Sequence, residues 1–93
     1  MKKVKILIVE DESLIAMSFK NQLVKAGYEV CKLVTTGKQA VETVKKESPD
    51  FVLIDIRLPG DMDGIEAARQ ISAISTAKII FASVYSDPVL KKS

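Results

Sequence analysis

At 93 residues, with 47% apolar and 28% charged side chains and a formal charge of +2, the chain has the make-up of one soluble globular domain with a single modest core. No apolar run reaches the ~18 residues of a membrane span, and Met1-Lys2-Lys3 leads straight into a strand-like segment, so a cytoplasmic location is expected. The absence of histidine excludes Ser-His-Asp and Cys-His nucleophiles and His-ligated metals, the single cysteine excludes an internal disulfide, and the dispersed lysines argue against nucleic-acid binding.

The first segment, Val4 to Val9, is a nearly continuous β-branched run of the kind a strand shows when both sheet faces are covered. It ends in Glu10-Asp11-Glu12. Ser13 is then expected to cap a helix that turns Ile15, Phe19, Leu23 and Ala26 inward, with Gly27 as its stop. Tyr28 to Val34 reads as a second strand, with Cys31, flanked by Val30 and Leu33, as a buried structural thiol. Thr36-Gly37-Lys38-Gln39 reads as a capping box opening a helix with Ala40, Val41 and Val44 on its inner face.

Pro49 and Asp50 end that unit, and Phe51 to Ile54 forms the third strand. A long turn from Arg57 to Met62 leads to the capping pair Asp63 and Glu66 and a helix bearing Ile65, Ala68 and Ile71. Ile79 to Ala82 is the fourth strand, and Asp87-Pro88 has the form of a helix start. Strand–helix alternation at this spacing predicts a parallel α/β sheet.

Function in such sheets gathers at the C-terminal strand ends. The first strand delivers Glu10 and Asp11 there and the third delivers Asp55; if those strands are neighbours, about 4.8 Å apart, the three carboxylates share a pocket. A cluster of like charges calls for a hard, oxygen-ligated cation, most simply Mg²⁺, whose remaining positions suit phosphate oxygens. Glu12 and Asp63 read instead as helix caps. Asp55 does not, because Ile56-Arg57-Leu58-Pro59 follows it.

Four segments in order carry a family likeness: Ile6 to Glu12, Val52 to Gly60, Met62-Asp63-Gly64-Ile65-Glu66, and Ile79 to Ser83. Together they resemble the receiver domain of response regulators in two-component signalling. The resemblance implies a three-layer flavodoxin-like parallel sheet. Across residues 1–93 the strand order would be 2-1-3-4, with the fifth βα unit of the family absent and the domain incomplete at its C-terminus. It implies Asp55 as phosphoacceptor, Asp11 and the Arg57 backbone carbonyl as Mg²⁺ ligands alongside Asp55, and Glu10 as a ligand through water. Ser83 would be the switch hydroxyl, with the Val84 backbone N–H beside it. The phosphodonor would be a phosphohistidine on a sensor histidine kinase or phosphotransfer protein, and the domain would catalyse only its own phosphotransfer and dephosphorylation.

Two departures from the family pattern stand out. The loop Pro59-Gly60-Asp61-Met62-Asp63-Gly64 is one residue longer than the commonest spacing and brings Asp61 beside the pocket. The family lysine at the end of a fifth strand has no counterpart, since Lys91 and Lys92 belong to the fourth-helix region. A homodimer through the open sheet edge is therefore expected. An aspartate-nucleophile phosphatase is disfavoured because Arg57 stands where that class has its second acid. The alternative is a receiver-like interaction module that does not switch.

Overall fold

The structure, a computed structural model, describes residues 2–82. Strand β1 (Lys5–Val9) leads into helix α1 (Ser13–Lys25), β2 (Glu29–Val34) into α2 (Gly37–Glu47), β3 (Phe51–Ile54) into α3 (Gly64–Ile74), and β4 (Lys78–Phe81) follows. All pairings are parallel and the order is β2-β1-β3-β4, as the sequence reading expects. β1 lies in the middle of the sheet, which is why its residues are apolar without interruption.

Alternation along the strands divides the core in two. Leu7 and Val9 of β1 join Val52 and Ile54 of β3 under α2 and α3, where Ala40, Val44, Ala67 and Ile71 meet them. Ile6 and Ile8 face α1, with Ala16, Phe19, Leu23, Phe51 and Leu53 around them. Leu7, Ile8, Ile54 and Ile71 are fully buried, each contributing about 2 kcal/mol of apolar burial. Between β1 and β2 the register runs from Ile6↔Val30 to Leu7↔Lys32, skipping Cys31. That slip lets Val30 and Leu33, three apart, face the same layer while Cys31 and Val34 face the other. Cys31 is half-buried rather than buried, and burial is the main cause that raises its thiol pKa.

Several local expectations need correction. Ser13 is the first helical residue rather than the cap; Glu12 stands at the cap without a side-chain bond, and the exposed Ser13 makes none. Ala26 is exposed, because the chain has left the helix there and Gly27 (φ +96) turns it. Thr36 does accept the Gln39 N–H (3.1 Å), but the Gln39 side chain accepts from Thr35 N–H (3.0 Å), one residue earlier than a capping box requires. Asp63 accepts the Glu66 N–H (2.8 Å), whereas the Glu66 carboxylate turns to Arg69 and Gln70, with the Arg69 hydrogen bond as the first cause lowering its pKa to about 2. Ile65 is 57% exposed: α3 buries Gly64, Ala67, Ala68 and Ile71, a phase set by the glycine packing inward.

Asp50, which reads in the sequence as punctuation, stitches three strands together. Its carboxylate accepts the Lys5 N–H (2.8 Å), its own N–H donates to the Lys5 carbonyl (2.8 Å), and its carbonyl accepts the Lys78 N–H (3.0 Å). β4 pairs with β3 and, among the described residues, with no other strand, while Ile80 and Phe81 are exposed. The Asp87-Pro88 helix start lies outside the described residues.

At the other end of the sheet Gly64 donates its N–H to the Ile56 carbonyl (2.8 Å), so close to the strand end that a Cβ would overlap the Asp55 carbonyl oxygen and lie 2.8 Å from Ile56 Cα. Gly64→Ala is expected to destabilise the chain by about 3 kcal/mol in urea unfolding. A loss below about 1 kcal/mol would show that the loop relaxes around the methyl group.

Candidate functional site

Each acid at the sheet's C-terminal end is delivered by a strand in register with its neighbour. Val9 pairs with Ile54, and the next residue of each strand is a carboxylate: Glu10 after β1 and Asp55 after β3. The backbone holds both. Glu10 N–H donates to the Val34 carbonyl (2.9 Å), and Asp55 N–H donates to the Val9 carbonyl (3.0 Å). The ladder therefore fixes where both side chains start, and the loops decide only their final orientation.

Glu10, Asp11 and Asp55 each offer an oxygen within 4.8 Å of the others. Glu10 and Asp55 are buried, at 2% and 0% exposure, while Asp11 is exposed and opens the cluster to solvent. Asp55 Oδ1 accepts the Arg57 N–H (3.1 Å), which curls the chain back over the carboxylate just after β3. Glu10 Oε2 accepts the Glu12 N–H (3.1 Å), but its buried Oε1 has no hydrogen-bond partner among the described residues. An oxygen in that condition costs about 1–3 kcal/mol, and three converging carboxylates are a donor set for a hard cation. The residues present therefore fit a divalent metal.

Asp61, expected beside the pocket, is not one of the converging acids; it is exposed and lines a groove with Thr36, Gly37, Lys38, Pro59, Gly60 and Met62. Ser83 and Val84 lie outside the described residues; the chain reaches them through Ala82, whose N–H donates to the Ile54 carbonyl (2.9 Å) next to Asp55. Sequence reasoning missed the close packing of Gly64 on the Asp55 backbone. Its signal was a glycine directly after the Asp63 cap, where nothing in helix propensity favours one.

A parallel sheet whose first and third strands end in a carboxylate cluster defines a class: α/β proteins with a candidate cation site at the strand ends. Residues 6–93 match the response regulator receiver domain, and the chain belongs to that family. It is 44% identical over 80 residues to the chemotaxis protein CheY of Thermotoga maritima, covering 85% of this chain and 66% of that protein. It is 37% identical over 84 residues to sporulation initiation phosphotransferase F of Bacillus subtilis, covering 89% and 66%. The signal receiver domain of a modulated diguanylate cyclase from Desulfovibrio desulfuricans G20 superposes with a TM-score of 0.82 at 38% identity, over 86% of this chain and 64% of that one. The chain thus spans 66% of the length of these curated relatives.

Burial pushes the Glu10 carboxyl from 4.5 up to about 7; the Glu12 N–H opposes this, and the charge of Asp55 and the adjoining Asp11 carboxylate, which would share a proton with Glu10, reinforce it. A carboxyl whose folded-state pKa lies above its unfolded value favours the protonated folded chain. Its contribution is fully present below 4.5 and is lost as pH rises through about 7. With divalent cations chelated, the urea midpoint is expected to fall between about pH 5 and 8, and Glu10→Gln to flatten that fall. An equal slope in the two proteins would remove Glu10 as its source.

Proposed function

We propose that Asp55 is the phosphoacceptor of a cytoplasmic two-component signalling switch and that Asp11, Asp55 and the Arg57 carbonyl hold a Mg²⁺, with Glu10 reaching it through water. What supports the reading above all is the convergence of Glu10, Asp11 and Asp55 within 4.8 Å around a buried oxygen that has no partner among the described residues. Family membership supports it independently.

The donor is a phosphohistidine on a histidine kinase or phosphotransfer protein. An Asp55 carboxylate oxygen forms the new O–P bond as the N–P bond breaks, and the electron pair of that bond leaves with the imidazole nitrogen, giving an acyl phosphate and a neutral histidine after protonation. Bound Mg²⁺ supplies the positive charge that offsets the phosphoryl oxygens. Asp55, held through its backbone to Val9 and through Oδ1 to Arg57 N–H, meets the donor with its carboxylate already oriented. Ser83 is the hydroxyl that engages the phosphoryl oxygens after transfer, with the Val84 N–H beside it.

Asp11→Asn is expected to weaken Mg²⁺ binding about ten-fold or more, since it removes a charged ligand from a site of few carboxylates. Calorimetric titration reads this directly, and equal affinities for variant and parent would remove the site assignment. A small acyl-phosphate donor is expected to label the parent in a Mg²⁺-dependent, base-labile manner and to leave Asp55→Asn unlabelled. Labelling of both would place the acceptor elsewhere. No labelling of the parent by any donor would favour the interaction module that does not switch.

A further inference from the structure

The loop from β3 to α3 begins at Asp55, passes through Arg57 and ends at the Asp63 cap. Its two ends are bound: Arg57 N–H to Asp55 Oδ1 at the start, Gly64 N–H to the Ile56 carbonyl at the finish. Its crest, Pro59 to Asp61, stands off the start of α2 across a groove of about 410 Å³. Met62 closes that gap. It is half-buried against the core layer under α2 and α3 and comes to rest on Gly37, the first residue of α2.

Gly37 is not there for its backbone: the positive-φ glycines are Gly27 and Gly60. Helix propensity disfavours glycine within a helix as well. What the missing methyl group leaves is space, because a Cβ at this position would lie 3.0 Å from both Cγ and Sδ of Met62 and 3.1 Å from the Ala67 Cβ. An unbranched thioether fills such an irregular notch well.

We infer that Met62, seated in the Gly37 notch, is a positioning residue for the cation site. It ties the loop crest to α2 and so keeps the Asp55-to-Arg57 turn in shape before any ligand arrives. This rests on the reading of Glu10, Asp11 and Asp55 as a cation site, and it adds that the site's geometry is set in part by a contact between the second and third helical units.

The test compares the 93-residue parent with Gly37→Ala, Met62→Ala and Met62→Leu, by Mg²⁺ calorimetry and by amide hydrogen exchange of Arg57 and Gly64 in the metal-free proteins. Gly37→Ala and Met62→Ala are each expected to weaken Mg²⁺ about ten-fold and to speed exchange at both amides. Met62→Leu, which conserves volume, stays within about two-fold of the parent. Alanine favours α2 more than glycine does, but its methyl group crowds Met62 and the Ala67 Cβ, so the urea midpoint of Gly37→Ala is measured in parallel, and a Mg²⁺ loss larger than the change in folding stability accounts for separates lost positioning from lost stability. If Met62→Ala does not fold, Gly37→Ala and Met62→Leu decide. Parent-like affinity and exchange in Gly37→Ala overturn the inference. A parent that takes up no Mg²⁺ refutes the cation site instead, and the exchange rates then decide the clasp alone.

Discussion

Parallel pairing of β1 with β3 aligns Val9 with Ile54, and this alignment forces Glu10 and Asp55 to emerge side by side at one end of the sheet. Everything at the site follows from that enforced proximity. Two carboxylates are brought together in a buried setting, with Asp11 as a third at the rim; burial first, and then the neighbouring carboxylates, make the Glu10 carboxyl hold its proton well above the usual range. A binding site for a cation is the complement of this repulsion. The energy that maintains the arrangement comes from the strands, not from the acids.

The strands can bear the strain because β1 is packed from both sides. Leu7 and Val9 on one face and Ile6 and Ile8 on the other are buried in separate clusters, so a shift of register by one residue would exchange the two cores. Below the sheet Asp50 binds Lys5 and Lys78 and locks β1, β3 and β4 at their starts. Register set at one end is thereby transmitted along the four residue pairs of β1 and β3 to the carboxylates at the other.

Above the sheet the constraint passes to the loops, where two glycines serve by what they lack. Gly64 lets α3 begin directly against the Asp55 backbone, and Gly37 lets Met62 reach α2. Both glycines contact the loop that joins β3 to α3 or its flanks. The candidate cation site is thus bounded by two strand ends held in the ladder and by the loop that follows β3.

Periodicity and punctuation were enough to read the strand–helix alternation, and Phe51–Ile54 even carries the same bounds in sequence and structure. The order of strands and the roles of Glu10, Asp11 and Asp55 became legible through the family likeness, since no local pattern states which strand lies beside which. Local errors arose where one residue's choice depends on a distant neighbour. Ile65 looked inward by helical spacing, but Gly64 packing on β3 rotated α3 and exposed it. Gln39 bonded to Thr35 instead of completing a box on Thr36. By itself the sequence determined the elements and the identity of the acids, because hydrophobic period and strand-end composition are local properties. The distance among the carboxylates, the burial of the Glu10 carboxylate and the seat of Met62 on Gly37 were decided only by tertiary structure, because each depends on residues far apart in the chain being packed against one another.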